Sequence, residues 1–281
     1  MVERRPAWIV ARHVVLVLGV LVVAFPIYVT LVASTHTAQE LLGRVPFWFG
    51  DRVWQNYSRV LSAGPRASIG TPVATMLWNS LVMAVVIAIG KIAISIISAY
   101  AIVYFRFPLR MAFFWIIFLT LMLPVEVRIM PTFKVVADLG LLNSYLGLTV
   151  PLIASATATF LFRQFFLTVP DELTEAARID GAGPLRFFGS ILVPLSRTNI
   201  AALFVILFIF GWNQYLWPLL ITTEEGMSTI VMGIKRMTPT GDAAAEWNLV
   251  MATVLLAMVP PVVVVVLMQR WFIKGLIEPE K

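Results

Sequence analysis

Residues 73–103 read VATMLWNSLVMAVVIAIGKIAISIISAYAIV and carry a single charged side chain, Lys91. A helix needs about 20 consecutive apolar residues to cross the hydrocarbon core of a bilayer, and this stretch exceeds that length. Inside lipid, every backbone N–H and C=O group must be paired within the spanning structure, so an isolated segment of this kind is a helix. The stretch therefore predicts a membrane-spanning helix and an all-α membrane fold.

Five other blocks of the sequence have the apolarity of membrane helices, which makes about six predicted spans. In chain order the six blocks are residues 14–33, 73–103, 111–125, 146–162, 200–221 and 249–268. The third and fourth blocks are short and contain or adjoin Pro124, Pro131 and Pro151, so we expect kinked or partly unwound ends there. The simplest domain organisation is a single membrane domain over residues 1–281.

The composition excludes a soluble protein. Of the 281 residues, 60% are hydrophobic and 13% are charged, whereas soluble domains have about 25% charged residues. The net charge of +6 raises the question of nucleic-acid binding, but the basic residues are scattered between apolar blocks rather than collected on one face. The absence of cysteine excludes disulfides, thiolate metal sites and cysteine nucleophiles.

The positions of Lys and Arg predict the orientation of the chain. A cytoplasmic N-terminus would put twelve Lys and Arg residues inside and eight outside, which fits the usual cytoplasmic excess of positive charge. No small-residue cleavage signature follows residues 14–33, so this block is interpreted as an uncleaved first helix. The first outside loop, residues 34–72, carries Phe47, Trp48, Phe49 and Trp54. These side chains indicate either an interfacial aromatic belt or a docking surface.

One polar segment separates the fourth block from the fifth. Residues 168–181 read TVPDELTEAARIDG. Thr168, with an acidic residue three positions later, predicts a capping-box-like helix start, and Gly181 predicts a left-handed residue that ends the helix. Gly183 and Pro184 then predict the start of a second helix before the fifth block.

The first of these two helices is predicted to form a small knob. The side chains of Ala176 and Ala177 permit close approach of another protein, and charged residues surround them, namely Glu172, Glu175, Arg178 and Asp180. Charges in such a rim determine orientation and choice of partner more than affinity. From these residues alone, a docking knob and a solvated amphipathic loop are equally good interpretations.

The spacing of this segment resembles the EAA signature of importer permeases of the ATP-binding-cassette class. It consists of Glu175, Ala176, Ala177, three residues, Gly181, nine residues, Ile191, one residue, Val193 and Pro194, where the family usually has Leu in place of Val193. The resemblance implies a cytoplasmic coupling helix between spans four and five, in a loop of residues 168–196 that docks into a cleft of a separate ATPase subunit. The implied coupling residues are Glu172, Glu175, Ala176, Ala177, Arg178, Asp180, Gly181, Ile191 and Pro194.

The likeness extends along nearly the whole chain. It includes residues 105–110 (FRFPLR), 121–129 (LMLPVEVRI), 154–166 (ASATATFLFRQFF), 211–220 (GWNQYLWPLL) and 260–270. The chain resembles in particular the second permease subunit of bacterial glycerol-3-phosphate importers. This resemblance implies transport of sn-glycerol-3-phosphate, or of glycerophosphodiesters, across the inner membrane. The implied partners are a second homologous permease, a dimeric ATPase subunit and an extracytoplasmic substrate-binding protein, and no cofactor is implied.

Two sets of charged residues are candidates for the substrate path. Lys91 is the one charge in the middle of an apolar block, and intramembrane charges indicate functional sites. Its alternatives are snorkelling towards the cytoplasmic interface and pairing with a carboxylate of a neighbouring subunit. Glu126 and Arg128 follow Pro124 at the outer end of the third block, where Arg128 could bind phosphate or lie at the membrane interface. Their separation by two positions favours an unwound segment or separate partners.

A third set of candidates interrupts the fifth block with hydrogen-bonding groups, namely Trp212, Asn213, Gln214, Tyr215 and Trp217. These groups could bind a polyol or bond to the partner permease. The sequence has no phosphate-binding loop, metal-ligand cluster or catalytic triad, so we expect a transport subunit rather than an enzyme. A permease of the same class for a neutral sugar or polyol is an alternative. A secondary transporter is a less favoured one, since no block has Asp or Glu in its interior.

Overall fold

The structure is a computed structural model that describes residues 6–43, 45–62, 70–119, 125–238 and 246–277. Every regular element in these ranges is helical, which confirms the predicted all-α fold. The α-helices are α1 (Pro6–Ala33), α2 (Val53–Ser62), α3 (Val73–Tyr104), α4 (Arg110–Leu119), α5 (Val125–Asp138), α6 (Tyr145–Thr149), α7 (Ala156–Phe166), α8 (Asp171–Ile179), α9 (Pro184–Phe187), α10 (Val193–Leu195), α11 (Arg197–Trp212), α12 (Leu216–Ile221), α13 (Ile230–Met237) and α14 (Trp247–Ile277). Two 3-10 turns, Val150–Leu152 and Glu225–Met227, and one π segment, Phe188–Leu192, lie between them.

Three of the described helices are long and apolar enough to cross a membrane. They are α1 from Trp8 onward, α3, and α14 as far as Trp271. These helices contain the predicted blocks 14–33, 73–103 and 249–268. Two bent helix pairs raise the number of candidate spans in the described part of the chain to five. The predicted number of six spans therefore stays a prediction.

The fourth predicted block forms one of the bent pairs. Tyr145–Leu152 and Ala156–Phe166 meet at an angle of 47°. Pro151 has no backbone N–H to donate, and the Ser155 hydroxyl accepts a hydrogen bond from the Ala158 N–H at 3.3 Å, which starts α7 anew. The kink expected near this proline is therefore present. The second bent pair, Pro184–Leu195 with Arg197–Trp212, turns by 70° just before the fifth predicted block.

The third predicted block differs from the expectation in its second half. Residues 120–124, and with them the kink expected at Pro124, lie outside the described residues, and α5 follows them. The unwound segment considered for Glu126 and Arg128 is wrong, because both residues lie in this 14-residue helix. Pro131 also lies inside α5. An internal proline removes one backbone hydrogen bond, and the remaining bonds hold the helix.

Contacts divide the chain into two compact units. The first is Met1–Ala74 with Gly233–Met258, and the second is Thr75–Met232 with Val259–Lys281. In the first unit, no residue in the most apolar 18-residue window of α1 is buried. An apolar helix left uncovered in this way requires lipid or another protein to cover it. The single membrane domain stays a prediction.

The first unit also contains α2, which no sequence pattern predicted. Asn56 of α2 is 7% exposed, and its Nδ2 donates to the carbonyl oxygens of Ser34 and His36, each at 2.8 Å. These bonds fix α2 to the loop that follows α1. Trp48 and Trp54 are each 82% exposed on this loop and on α2. Their exposure suits both a membrane interface and a docking surface, so both interpretations stay open.

The second unit has a core built from α3, α5, α6 and α12. Its buried side chains are Met83, Ile87, Val136, Leu148, Trp217 and Ile221. Trp217 donates from Nε1 to the Gly147 carbonyl at 3.1 Å, so its polar group is satisfied inside the core. Gly211 brings α11 against α3, since a Cβ atom at this position would lie 2.9 Å from the Ala84 Cα. This close approach brings the end of α11 next to the helix that carries Lys91.

Candidate functional site

The loop of residues 168–196 begins with α8, whose first turn is acidic. Pro170 is the N-cap residue, and Asp171 and Glu172 follow it, where negative charge is favourable to the helix dipole. The predicted capping box is wrong. The Thr168 hydroxyl donates instead to the Phe165 carbonyl at 2.7 Å, because α8 starts late enough to leave this residue beside the end of α7.

α8 ends in a Schellman motif centred on Gly181. The Ala182 N–H donates to the Ala177 carbonyl at 2.8 Å, and the Gly181 N–H donates to the Arg178 carbonyl at 3.0 Å. Gly181 has φ of +72°, a left-handed conformation that glycine adopts without steric cost. The predicted helix end is therefore confirmed. The motif fixes the direction in which the chain leaves α8.

The second helix of the loop changes its winding. Gly183 is the N-cap and Pro184 the first residue of α9, as predicted. Phe188–Leu192 then forms a π-helix, and α10 follows it. Ile191 consequently lies in the π segment and Pro194 in α10. Sequence reasoning missed the π segment, although such segments are frequent at functional sites, because no residue type is specific to this winding.

The surface of α8 combines charge with exposed apolar side chains. Five of the predicted coupling residues on α8 and at its C-cap are exposed, namely Glu172, Glu175, Ala176, Arg178 and Asp180. Ala177 is 5% exposed, so the expectation that both alanines lie at the surface is wrong for Ala177. Ile179 and Leu185, which were not among the predicted residues, are 85% and 84% exposed. The sequence signal that could have identified these two residues is an apolar side chain within a polar segment. Apolar side chains beside a ring of charge are typical of a docking surface.

An aromatic cluster attaches the 168–196 loop to the end of α3. The Tyr100 hydroxyl donates to the Pro184 carbonyl at 2.9 Å. The ring centroids of Tyr100 and Phe188 lie 4.8 Å apart, and those of Tyr104 and Phe187 lie 5.4 Å apart. α3 is continuous from this cluster to the intramembrane lysine. The loop is therefore bonded to the same unbroken helix that carries Lys91.

Lys91 is buried in the middle of α3. Its side chain is 7% exposed, and its Nζ lies 3.9 Å from the ring centroid of Phe210 on α11. Among the described side chains, no carboxylate lies within 4.0 Å of this amine. The preceding residue, Gly90, packs against the break between α6 and α7, since a Cβ atom there would lie 2.8 Å from the Ile153 Cγ2. Phe210 is itself 38% exposed, and snorkelling of the lysine stays an open alternative to a functional role.

The other charged candidates lie on α5. The Arg128 side chain is exposed, and the next residue, Ile129, packs against the core cluster that contains Ile87, one helical turn before Lys91. The backbone of Glu126 belongs to the same helix, but its side chain lies outside the described residues. The structure therefore brings together Lys91 and Arg128, which are separate in the sequence.

The fifth block is not one continuous helix, since α11 ends at Trp212 and α12 begins four residues later, at Leu216. Trp212 is 3% exposed and therefore buried, and its place on the substrate path stays a prediction. Gln214 donates from Nε2 to the Phe210 carbonyl at 3.2 Å, so it contacts the residue whose ring covers the lysine. Asn213 is exposed and Tyr215 is half-buried. Gln214 is thus bonded to the backbone of the residue whose ring lies over Lys91.

A comparison with protein families gives a match that includes both Lys91 and the 168–196 loop. The sequence profile of the family described as binding-protein-dependent transport system inner membrane component matches residues 91–278. This range begins at Lys91 and includes the whole 168–196 loop.

Curated relatives are similar over the full length of the chain. The chain is 60% identical over 282 residues to the sn-glycerol-3-phosphate transport system permease protein UgpE of Rhizobium meliloti (strain 1021). It is 61% identical over 283 residues to the protein of the same name from Agrobacterium fabrum, and 59% identical over 282 residues to that of Yersinia pestis bv. Antiqua (strain Antiqua). Each alignment covers 100% of both chains.

The fold is also similar to a solved structure of a bacterial ABC transporter involved in the import of the acidic polysaccharide alginate. The TM-score is 0.80, and the superposition covers 97% of this chain and 99% of that chain. The sequence identity is 21%, so this likeness concerns the fold alone.

Proposed function

This chain belongs to the family of binding-protein-dependent transport system inner membrane components, and on that premise we propose that it is a permease subunit for sn-glycerol-3-phosphate. The observation that carries the proposal is the identity of 59% to 61%, over the whole chain, to relatives named as permeases for this substrate. Identity of this extent covers the spans as well as the loops. The similarity therefore includes the residues proposed for the substrate path and not only those that hold the fold.

The 168–196 loop is proposed to dock on a separate, dimeric ATPase subunit, which hydrolyses the ATP. Ile179 and Leu185 would supply apolar contact area, and the exposed charges of α8 would fix the orientation. The Schellman motif supports this role, because it holds α8 at a defined angle to the helix that follows. Glu175, near the middle of α8, is the charge whose reversal we expect to disturb docking most.

Coupling would then run from this docking surface to the membrane. Closure of the ATPase would displace α8 and α9, and the bond between Tyr100 and the Pro184 carbonyl would pass the displacement to α3. α3 carries Lys91 near its middle, so a movement at the cytoplasmic end reaches the proposed substrate path. The chain supplies this mechanical linkage, whereas the energy comes from the ATPase.

The same proposal assigns the topology and the remaining partners. If the 168–196 loop is cytoplasmic and follows the fourth of six spans, the N-terminus is also cytoplasmic, in agreement with the Lys and Arg count. The uncovered apolar surface of α1 supports contact with a second homologous permease or with lipid. An extracytoplasmic binding protein would deliver the substrate to the pair. The whole chain, residues 1–281, would act as one membrane domain.

The test is the ATPase activity of the importer reconstituted with its partner permease, ATPase and binding protein. Stimulation by sn-glycerol-3-phosphate, but not by maltose or other uncharged sugars, is the expected result. Stimulation by an uncharged sugar alone would contradict sn-glycerol-3-phosphate as the substrate, but it would leave the docking role of the 168–196 loop intact. Stimulation by neither would contradict the substrate class as a whole.

A further inference from the structure

We propose that Lys91 and Arg128 form the binding site for the phosphate group of the transported substrate, with the Phe210 ring beside the lysine. The inference rests on the proposed function, because it takes a phosphate monoester as the substrate. It adds the residues that recognise the charged end of that substrate. Nothing in the names of the relatives assigns this role.

The first argument is the burial of a lysine that has no counter-ion among the described side chains. Lys91 is 93% buried in the middle of a spanning helix, where a charge is costly unless it is paired or hydrogen-bonded. The contact with the Phe210 ring at 3.9 Å offsets part of this cost, because the ring face attracts a cation. A ring cannot accept the hydrogen bonds of an ammonium as an oxygen anion does. An anion is therefore the missing partner.

The second argument is the presence of a second cation close to the first. Arg128 of α5 precedes Ile129, which packs against the cluster that contains Ile87 of α3, one helical turn before Lys91, and like charges in a medium of low dielectric repel each other. Two such cations are stable side by side when an anion binds between them. Phosphate monoesters carry a charge of about −1.5 to −2 at pH 7. Arginine binds phosphate through a two-pronged fork and lysine through a mobile point charge, so the pair suits this group.

The third argument is the irregular backbone around the lysine. Gly90 packs against Ile153, and the Ser95 hydroxyl donates to the Ser155 carbonyl at 3.1 Å, both at the break between α6 and α7. Gln214, in the break after α11, donates to the Phe210 carbonyl. Broken helices inside a membrane occur where they line a cavity or lie within protein, and transporters bind substrates at such breaks. One helix break thus contacts the residue before Lys91, and the other is bonded to the residue whose ring lies over the lysine.

The experiment uses the complete reconstituted importer with its binding protein and compares Lys91→Met and Arg128→Gln with the parent. Methionine has nearly the shape of lysine without its charge, so the buried position stays filled. Lys134→Met is the matched control, because Lys134 is an exposed cation elsewhere on α5. Two quantities are measured separately, namely uptake of sn-glycerol-3-phosphate and stimulation of the ATPase by the loaded binding protein.

We expect uptake to fall about tenfold to a hundredfold in Lys91→Met and Arg128→Gln, which is the usual effect of losing one charge-assisted contact. Stimulation of the ATPase should persist, since the 168–196 loop is unchanged, and Lys134→Met should behave as the parent. Lys91→Arg, which keeps the charge, should retain more uptake than Lys91→Met. Unchanged uptake in Lys91→Met would overturn the phosphate site and leave the proposed function intact. A parent importer that does not take up sn-glycerol-3-phosphate would overturn both.

A binding measurement separates the substrate from a carboxylate of the protein as the missing partner. Saturation-transfer NMR on the solubilised importer without its binding protein should detect sn-glycerol-3-phosphate but not glycerol, and Lys91→Met should abolish the signal. If the lysine is instead paired with Glu126 or with an acidic residue of a neighbouring subunit, Lys91→Met would impair assembly and leave the NMR signal of the assembled fraction unchanged. That result would overturn the phosphate site.

Discussion

Replacing Gly181 by alanine should uncouple ATP hydrolysis from substrate binding without removing the protein from the membrane. This residue has φ of +72°, a conformation that costs a residue with a Cβ atom about 1–2 kcal/mol. No heavy atom lies within 4 Å of the position that the Cβ would take, so the backbone conformation supplies the whole cost. An energy of this size reduces the population of the native loop geometry about fivefold to thirtyfold relative to an opened one.

The neighbouring Gly183 provides the matched control for this prediction. It has φ of −70° and ψ of 168°, which any residue adopts, and a Cβ there would also meet open space. Gly183→Ala adds the same methyl group two residues away with little expected cost. Gly181→Asn should be intermediate, because asparagine tolerates the left-handed conformation better than alanine.

The measurement is the stimulation of ATPase activity by the substrate-loaded binding protein in proteoliposomes, together with the amount of ATPase subunit that co-purifies. Gly181→Ala should lower both quantities, and Gly183→Ala should lower neither. If the two alanine variants behave alike, the geometry of the Schellman motif does not determine docking, and the reasoning from the φ angle is refuted.

Three further predictions concern other contacts of the chain. Glu175→Lys should insert normally but retain less ATPase subunit on co-purification, because it reverses an exposed charge on α8; full retention would count against docking through this face. Tyr100→Phe removes the hydroxyl bonded to the second helix of the loop, at a cost of about 1 kcal/mol, and should lower transport per ATP hydrolysed. Tyr104→Phe is its control, since that hydroxyl has no hydrogen-bond partner among the described residues, and equal coupling ratios in the two variants would exclude the linkage. Asn79→Leu removes three hydrogen bonds of a residue that is 1% exposed, worth about 3 kcal/mol together. It should lower the thermal unfolding midpoint in detergent, and an unchanged midpoint would contradict this role.

The sequence predicts best those features that a single local constraint determines. Lipid excludes polar side chains along the whole length of a span, so residues 73–103 were recognisable as a helix before any contact was known. Gly181 was recognisable as a helix end because the left-handed conformation nearly requires glycine. Gly183 followed by Pro184 predicted a helix start for a similar reason, since proline suits the first helical position.

Features that depend on contacts between distant segments were not predictable in this way. Threonine is a residue type that often caps helices, but whether Thr168 caps α8 depends on where the first turn of α8 begins. The burial of Ala177 results from packing of α8 against its neighbours, which the pattern of α8 alone does not contain. The contact of Lys91 with the Phe210 ring joins two helices that are far apart in the sequence. The hydropathy of the sequence shows that both helices are apolar, but it does not show which of their side chains are in contact.

The π winding at Phe188–Leu192 has a consequence for how such loops change over evolution. A π turn holds one residue more than an α turn, so deleting one residue from this segment restores ordinary α-helical winding. Each residue of an α-helix advances the chain by about 100° around the axis, but the π turn takes up its extra residue locally, so the elements on either side would keep nearly their present orientation after this deletion. A single-codon deletion is therefore better tolerated at this point than in a helix of regular winding such as α11, where it would turn every side chain beyond it by about 100°.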